Sequence, residues 1–464
     1  MTPLSHVFKA YDIRGTVPDQ LDETTCRAVG AAVARFVGGP SLLVARDMRP
    51  SGVALARAFA EGARSEGVGV VDLGLASTDL LYFAAGRLDL PGAMFTASHN
   101  PAGYNGIKLC LSGARPVGRD TGLAEIQATA EALLGSWAGT PPEFDEATAA
   151  PIEQRDLLDE YARHVHSFVD TSSLRPLRVV ADVANGMGGL VVPAVFAGLP
   201  FEVEVLFPEL DGNFPNHPAD PIQPENLAWL KEAVVTHGAD VGLAFDGDAD
   251  RVFLVDERAE PVSGSLTTAL VAASMLAKHP GATILYNCIC SRTVPEVIAE
   301  HGGTGIRTRV GHSFIKQVMA ETGAVFGGEH SGHYYFSDNY RADSGIIAAL
   351  VVLELLSQAD APLSALLAPY RRYAASGEIN TEVPDPAGVV EALAAEVEAA
   401  GGSLGTADRL DGLTVDRGDW WYNLRPSNTE PLLRLNVEAP DDEACGRHVG
   451  EVLAEVARLS RPTS

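Results

Sequence analysis

The sequence predicts a chain of layered α/β domains that ends in a separate α+β module. Its 464 residues are too many for one compact domain and suggest about three, with four possible. Short β-type runs alternate with longer helical patterns over most of the length, which is typical of α/β layers. From residue 374 onward this regular alternation ends, and strands are mixed with a single Ala-rich helical stretch before a closing helix.

The elements of the first part are apolar runs of strand length and amphipathic stretches of helix length. We predict helices over residues 24–36, 53–65 and 226–237. We predict strands over residues 42–45, 68–73, 93–96, 179–182, 241–245, 252–255 and 284–286.

The C-terminal module is predicted to contain two helices among its strands. The first is the Ala-rich stretch 389–400, and the second closes the chain over residues 441–459. The first turn of the closing helix carries Asp441, Asp442 and Glu443, which the positive end of a helix dipole favours.

Three segments are candidate boundaries between domains. Residues 135–151 are rich in Gly, Pro, Thr and acidic side chains and resemble a linker, and residues 256–264 and 370–377 are the other candidates. We therefore expect domains over residues 1–150, 151–256, 257–370 and 371–464.

The net charge of the chain limits the classes of partner that it can bind. With 61 acidic against 34 basic residues the net charge is −27, which repels nucleic acid and anionic membranes. A phosphate-binding site on such a protein has to be a local island of positive charge. We expect small-molecule partners, no nucleic acid, no membrane, and a monomer or weak dimer.

The cysteines and the apolar runs indicate a cytoplasmic protein. Five scattered cysteines form neither a disulfide framework nor a zinc site, so we expect buried thiols. The N-terminus has no signal-peptide hydrophobic region, and the longest apolar run, residues 346–353, is far shorter than the roughly 20 residues needed to cross a bilayer.

The first loop whose side chains can take part in chemistry is residues 96–101 (TASHNP), which closes a predicted strand. Asn-Pro and the following glycine force a turn just past Ser98, so we expect its hydroxyl at the surface rather than packed. His99 can donate hydrogen bonds to an anion. A serine hydroxyl needs activation, or a phosphate placed upon it, before it does chemistry. An ordinary polar turn is the alternative.

The second loop, residues 246–251 (DGDADR), places Asp246, Asp248 and Asp250 at alternate positions between two apolar strands. Three carboxylates around a tight bend can converge on one hard cation. An EF-hand would need glycine where Arg251 stands, and a helix where a strand is predicted. We therefore favour a metal site over a solvated acidic turn.

The third and fourth loops can recognise a polyol and an anion. In residues 328–333 (GEHSGH), Glu329 can accept two sugar hydroxyls at once, although a glycine-rich hairpin has the same composition. In residues 425–431 (RPSNTEP), Arg425 offers a planar fork to phosphate and three neutral side chains add donors, although surface turns also have this composition. The order and coexistence of all four loops are more specific than any one of them.

The four loops resemble those of the α-D-phosphohexomutase family, most closely its phosphomannomutase/phosphoglucomutase branch. The similarity begins at residues 8–15 (FKAYDIRG) and covers essentially the whole chain. The resemblance implies three similar α/β domains with mixed sheets and a smaller C-terminal α+β domain, around a central active-site cleft. It implies an isomerase that interconverts hexose 6-phosphate and hexose 1-phosphate.

The resemblance also implies roles for individual residues. Ser98 would carry the phosphoryl group and, with Asp246, Asp248 and Asp250, bind Mg²⁺. Glu329 and Ser331 would bind the sugar hydroxyls O3 and O4, and the phosphate that is not reacting would be held by Arg425, Ser427, Asn428 and Thr429. Further residues match cleft-lining positions: Tyr11, Arg14, Lys108, Arg251, His312 and His333.

The implied reaction passes through a hexose 1,6-bisphosphate, which is both intermediate and activator. For proton transfer we expect Lys108 and His333, with Arg14 as an electrostatic helper and His99 beside the phosphoserine. Relatives often carry a lysine where this chain has Ile289, so another cation must act or substrate is held differently. A phosphoglucosamine mutase and a phosphoserine-dependent sugar phosphatase are the alternatives, and His330 argues mildly against the first.

Overall fold

The structure is a computed structural model that describes residues 4–402, 404–427 and 432–460. Four sheets follow one another along the chain, and the parts that carry them are units 1 to 4. Among the described residues no single helix is long and apolar enough to cross a membrane, and only the bent pair Gly345–Gln358 and Leu363–Tyr370 meets that test together.

Unit 1 is a seven-stranded mixed sheet in the order β1-β5-β4-β2-β3-β7, with β6 paired to β5. Strands β2, β3, β4 and β7 are parallel, and β1, β5 and β6 are antiparallel to their neighbours. Its elements are β1 (Ile13–Thr16), α1 (Glu23–Val37), β2 (Ser41–Arg46), α2 (Gly52–Ser65), β3 (Gly69–Leu75), α3 (Thr78–Leu88), β4 (Gly92–Phe95), β5 (Tyr104–Leu111), β6 (Arg115–Pro116), α4 (Leu123–Trp137) and β7 (Ile152–Gln154).

Unit 2 has a five-stranded mixed sheet in the order β12-β11-β10-β8-β9. Its elements are α5 (Leu158–His166), β8 (Arg178–Asp182), α6 (Gly188–Phe196), β9 (Glu202–Leu206), α7 (Ala228–His237), β10 (Val241–Phe245), β11 (Val252–Asp256) and β12 (Pro261–Val262). The predicted helix over residues 226–237 begins two residues later, because a short 3₁₀ turn, Pro224–Leu227, precedes it. In that turn the Asn226 side chain donates to the Asp220 carbonyl.

Unit 3 has a four-stranded mixed sheet in the order β14-β13-β15-β16. Its elements are α8 (Gly264–Lys278), β13 (Thr283–Asn287), α9 (Thr293–Glu300), β14 (Thr304–Thr308), α10 (His312–Thr322), β15 (Phe326–Gly328), β16 (Tyr334–Phe336), α11 (Gly345–Gln358) and α12 (Leu363–Leu367). Helix α11 is almost entirely buried, as its unbroken apolar pattern requires.

Unit 4 is a five-stranded antiparallel sheet in the order β17-β21-β20-β19-β18, with two helices. Its elements are β17 (Ala374–Glu382), α13 (Pro386–Ala399), β18 (Thr406–Asp408), β19 (Leu413–Asp416), β20 (Trp421–Pro426), β21 (Leu432–Ala439) and α14 (Asp442–Leu459). The Asp441 side chain caps α14 by accepting from Ala444 N, at the acidic first turn that the sequence indicated. The predicted fold class, three mixed α/β sheets and a smaller α+β unit, is confirmed.

The buried apolar side chains of units 1 to 3 and those of unit 4 form separate clusters. One continuous cluster contains buried side chains from units 1, 2 and 3, whereas unit 4 has a cluster of its own. The five cysteines are all buried and unpaired, as expected. The sheet of unit 1 takes in Ile152–Gln154 and that of unit 2 takes in Pro261–Val262, so we propose domain limits near residues 155 and 263 rather than 150 and 256.

Candidate active site

Each of the four loops follows the carboxyl end of a strand, and each strand belongs to a different unit. Ser98 comes after β4, Asp246 after β10, Glu329 after β15 and Arg425 at the end of β20. Ligands of α/β sheets generally bind beyond the carboxyl ends of strands. Contacts between loops of different units, described below, join the first two loops directly and bring the third and fourth to the same cleft.

The backbone around Ser98 is held in a specific conformation. Ser98 has a left-handed φ of 49°, its N–H donates to Thr96 Oγ1, and its carbonyl accepts from the buried guanidinium of Arg49. Arg49 also donates to the carbonyls of Asn100, Pro101 and Tyr104, so one side chain fixes the whole turn. Left-handed non-glycine residues persist only where surrounding contacts impose them.

The expectation that Ser98 lies at the surface is wrong. Its exposed fraction is 1%. The loop of unit 2 covers it: the backbone at Gly247 approaches so closely that an added Cβ would lie 2.4 Å from the Ser98 carbonyl oxygen. Turn chemistry is local and correctly placed the turn, but the cover comes from a segment about 150 positions away in the chain.

The Ser98 hydroxyl lies directly against the acidic loop. Ser98 Oγ donates to Asp246 Oδ2 over 2.7 Å. Its other neighbours are His99 Nδ1 at 3.2 Å and the Arg251 guanidinium at 3.4 Å. A guanidinium only donates, so its 2.9 Å contact to His99 Nδ1 makes that nitrogen an acceptor. Burial and the nearby Arg251 and Arg14 hold the pKa of His99 well below its ordinary value, so the ring is neutral.

The three aspartates of the second loop form one cluster. Asp246, Asp248 and Asp250 are at most 1% exposed, and each offers an oxygen within 4.8 Å of the others. Lys108, on β5 of unit 1, donates to Asp248 Oδ2 over 2.7 Å and to Asp250 Oδ2 over 2.6 Å. Thr78, also of unit 1, donates to Asp248 Oδ2 as well. Units 1 and 2 therefore build the cluster together.

The titration of these groups shows a site with excess negative charge. Burial raises the pKa of Asp246 well above its ordinary value, and the charges of Asp250 and Asp248 add to this rise. Burial lowers the pKa of Lys108, but the carboxylates of Asp248 and Asp250 outweigh it and hold that pKa well above its ordinary value. Lys108 is therefore an ammonium in this arrangement.

The chemistry of the donor set fits a magnesium ion. Asp248 Oδ1 and Asp250 Oδ1 are buried and have no hydrogen-bond partner among the described residues. Buried carboxylate oxygens without partners are costly unless a cation meets them. Oxygen ligands from a few carboxylates are what Mg²⁺ takes in proteins. The residues that would hold it are Asp246, Asp248, Asp250 and the oxygen on Ser98.

The third loop carries the side chains of Glu329 and Ser331. Glu329 is buried and accepts from the Tyr335 hydroxyl at one oxygen and from Asn287 Nδ2 at the other. The second oxygen is also 3.3 Å from Gly311 N. Oε2 therefore has two protein donors, whereas Oε1 has one and retains a lone pair for a ligand. Ser331 follows in the same turn, which ends in Gly332 with a φ of 84° that favours glycine.

His333 ends the third loop and faces two carboxylates. Its Nδ1 is 2.8 Å from Asp343 Oδ2 and 3.7 Å from Asp250 Oδ1, so only the first distance is a hydrogen bond. An isolated bridge pairs the His333 backbone with Arg251, which connects the third loop to the acidic loop.

The fourth loop faces a cavity of about 540 Å³ between units 1, 3 and 4. Arg425 donates to Glu378 over 2.7 Å, and Arg434 lies 3.3 Å from the same carboxylate. The cavity is the local island of positive charge that an acidic protein needs for binding phosphate, since its wall carries the side chains of Lys9, Arg14, Arg119, Arg425 and Arg434. Ser427 lines it too, and Asn428 and Thr429 lie outside the described residues.

Three further predicted residues are Arg14, which contacts the serine turn, and Tyr11 and His312, which contact each other. Arg14 donates to Asn100 Oδ1 over 2.6 Å and pairs with Asp12. Tyr11 contacts the His312 ring edge-on, with 5.7 Å between the ring centroids, and its hydroxyl donates to the Val310 carbonyl. Burial, with Lys316 nearby, lowers the pKa of His312 well below its ordinary value, so this ring is neutral.

Ile289, the position of the missing lysine, is buried at the border of units 3 and 4. It lines a narrow cavity of about 160 Å³ together with His330 and Arg371. Arg371 is the cation of that cavity, and it also lies 3.3 Å from Asp256.

Sequence reasoning missed four side chains that support the site: Arg49, Thr78, Lys316 and Asp343. Each lies outside the four loops, and none is part of a motif. The available signal was the scarcity of lysine, because a chain with only five lysines that places one in the apolar helical pattern of residues 312–322 marks Lys316 as unusual.

The comparisons with known proteins agree along the whole chain. Four family models match in succession, described as phosphoglucomutase/phosphomannomutase domain I (residues 5–134), domain II (159–260), domain III (263–373) and the C-terminal domain (378–455). A crystal structure of a phosphoglucomutase/phosphomannomutase family protein from Burkholderia thailandensis matches with a TM-score of 0.87 and 32% identity, covering 99% of this chain and 98% of that one.

Curated relatives are similar over nearly their full length. The chain is 41% identical over 439 residues to a protein of Xanthomonas campestris pv. campestris named phosphohexose mutases, covering 94% of this chain and 96% of that protein. It is 39% identical over 442 residues to the phosphomannomutase of Escherichia coli K12, covering 94% and 95%. At this identity and coverage, the chain belongs to the phosphoglucomutase/phosphomannomutase family.

Proposed function

We propose that the protein is an isomerase that interconverts hexose 6-phosphate and hexose 1-phosphate, with Ser98 carrying the transferred phosphoryl group. The observation that carries the proposal is the 2.7 Å contact between Ser98 Oγ and a buried carboxylate triplet, at one end of a cleft whose other end is lined by arginines. The relatives named phosphomannomutase and phosphohexose mutases support the same reaction class.

Magnesium bound by the triplet would supply positive charge to the phosphoryl oxygens during transfer. The protein's own residues do the rest. Arg251 and His99 lie within 3.4 Å of the serine oxygen and position groups around it. In this proposal Lys108, an ammonium, acts as an acid and as a stabilising charge. His333 exchanges a proton with the sugar hydroxyl.

The proposed reaction consists of two successive transfers on one substrate. Phosphoserine 98 gives its phosphoryl group to the free hydroxyl of the sugar phosphate, which yields a hexose 1,6-bisphosphate, and recovers the other phosphate after the bisphosphate turns around. Arg425, with Ser427, Asn428 and Thr429, holds the phosphate that is not reacting. Glu329 and Ser331 bind O3 and O4, which stay near the middle when C1 and C6 change places.

The same scheme favours substrates of both glucose and mannose series. These sugars differ only at C2, which the scheme does not need to recognise. We further propose that unit 4 closes over the substrate to limit hydrolysis of the phosphoserine. We also propose that the protein is cytoplasmic and is a monomer or a weak dimer.

The test measures product and enzyme together. The protein is incubated with mannose, glucose or glucosamine 1-phosphate, Mg²⁺ and a catalytic amount of hexose 1,6-bisphosphate, and hexose 6-phosphate and inorganic phosphate are quantified. We expect mannose and glucose 6-phosphates, little inorganic phosphate, and no turnover in EDTA until Mg²⁺ is restored. Intact-mass analysis should find one phosphate on the wild type and none on Ser98→Ala.

The alternatives predict different products. A phosphatase would release inorganic phosphate faster than it forms the isomer, and a phosphoglucosamine mutase would prefer glucosamine phosphate. A protein that never acquires phosphate on Ser98, even from the bisphosphate, would contradict the proposal outright.

A further inference from the structure

His333 is bonded through one particular ring nitrogen. Its Nδ1 lies 2.8 Å from Asp343 Oδ2, and the two residues are brought side by side by backbone pairing. Tyr335 forms an isolated bridge with Asp343, and Ser344 N donates to the Tyr334 carbonyl. Backbone pairing therefore helps to hold His333 and Asp343 in contact.

The other oxygen of Asp343 faces an ammonium, in an ion pair that lacks hydrogen-bond geometry. Lys316 Nζ lies 2.9 Å from Asp343 Oδ1, and both side chains are 2% exposed. The same ammonium lies 3.6 Å from the centre of the Tyr82 ring, on α3 of unit 1. A buried carboxylate with an ammonium at one oxygen stays ionised and accepts hydrogen bonds without donating them.

We propose that Asp343 is a positioning residue that holds His333 as the Nδ1–H tautomer, which leaves Nε2 as the unprotonated nitrogen available to the substrate. A neutral imidazole carries one proton, and an ionised carboxylate at Nδ1 can only accept it. Lys316 keeps Asp343 ionised by pairing with the oxygen that His333 does not use. The use of Nε2 in proton transfer rests on the proposed function, but the tautomer does not.

Two other interpretations of the cluster fit less well. Asp250, His333 and Asp343 lie close enough to hold a metal ion. However, the His333 ring already occupies Asp343 Oδ2, and the Lys316 ammonium, 2.9 Å from Oδ1, would repel a second cation. In the second interpretation, the pair of His333 and Asp343 only stabilises the fold. In that case the identity of the group at Nδ1 would not affect His333 chemically, and the experiments below separate these cases.

The decisive variant is Asp343→Asn. An asparagine of the same shape can present its amide N–H to Nδ1, which favours the Nε2–H tautomer and blocks the nitrogen that faces substrate. We expect kcat to fall by roughly 10²- to 10⁴-fold, the range that general acid–base catalysis typically contributes, with KM changed less than about threefold. In a His333→Ala background the same substitution should have no further effect on kcat.

The tautomer is measured directly by ¹⁵N NMR of histidine-labelled protein, with His333 assigned from the spectrum of His333→Ala. We expect a protonated Nδ1 and an unprotonated Nε2 in the wild type, and the reverse in Asp343→Asn. This readout does not need catalytic activity, so it decides the inference even if the proposed function fails. An Nε2–H tautomer in the wild type, or one tautomer shared by both proteins, overturns the inference.

Controls remove the ambiguity of a buried charge. Asp343→Asn leaves Lys316 without its partner, so the double variant Lys316→Met/Asp343→Asn is measured alongside and should show the same tautomer and kcat loss. Glu354→Gln breaks another lysine–carboxylate pair, in which the buried Glu354 lies 2.6 Å from the partly exposed Lys278. It should lower thermal stability without lowering kcat; an equal kcat loss in Glu354→Gln would overturn the inference.

Discussion

The two ends of the cleft differ in how tightly the units that form them are joined. At the serine end, side chains of units 1 and 2 interlock: Lys108 and Thr78 of one bind Asp248 of the other, and Ser98 binds Asp246. All are buried, and the apolar cluster beneath them is shared by units 1 to 3. At the arginine end, unit 4 packs on a core of its own.

Polar contacts join unit 4 to unit 3. Arg292 binds the Gly418 carbonyl and Asp416, Arg307 pairs with Asp408, and Val310 N donates to Asp411. Such exposed contacts contribute little free energy each and are easily broken. We propose from this contrast that the serine end is fixed whereas unit 4 can move, as the proposed turning of the bisphosphate would require.

The largest expected effect comes from removing one charge at the fixed end. Asp246→Asn keeps the shape and the hydrogen bond from Ser98 but weakens the magnesium site, so we expect mutase turnover to fall by about 10³-fold. Because burial and like charges raise the pKa of Asp246, its ionised form is costly, and the metal-free variant should be no less stable than the wild type. Thermal unfolding with Mg²⁺ or EDTA measures this.

The same scans test the metal site. Ligand that binds only the folded state raises stability, by about 2.7 kcal/mol at 100 times its Kd. Wild type should gain thermal stability from Mg²⁺, and Asp246→Asn should not. The buried Asp256, at the end of β11 and outside the cluster, is the matched control: Asp256→Asn should keep the response to Mg²⁺. An undiminished response in Asp246→Asn would contradict the assignment.

An intermediate effect is expected at the mobile end. Arg425→Ala removes a guanidinium that faces the cavity, so we expect KM for hexose phosphates to rise about 10- to 100-fold with a smaller change in kcat. Steady-state kinetics on glucose 1-phosphate measure both. Arg409, which pairs with Glu391 and Glu398 on the surface of unit 4, is the control, and Arg409→Ala should change neither. An unchanged KM in Arg425→Ala would place phosphate elsewhere.

The smallest effect is expected at the contact between units 3 and 4. Arg292→Ala removes the bonds to Gly418 and Asp416, so we expect kcat and KM to change by no more than about threefold and stability by less than about 1 kcal/mol. Arg178→Ala, which breaks a surface pair with Glu202 inside unit 2, is the control and should change neither kinetic constant. A loss as large as that of Asp246→Asn would show that the two ends are not mechanically separate.

Local sequence was enough for the elements and for the motifs that mark the site. Strands β2, β8, β10 and β11 lie within one residue of the predicted limits at each end, because a buried strand is an apolar run that turn residues bound. The magnesium triplet could be recognised because its three carboxylates belong to one loop. The resemblance to a known family supplied the order of the units.

Tertiary structure alone decided what is buried and what pairs across units. Ser98 is covered because Gly247 of unit 2 lies over it, and Lys108 meets the triplet from a different sheet. Asp343 and Lys316 belong to no motif, yet they determine which nitrogen of His333 is bonded. Periodicity and turn chemistry act over a few residues and can be recognised in the sequence. By contrast, pKa values and burial depend on segments that meet only when the four units fold together.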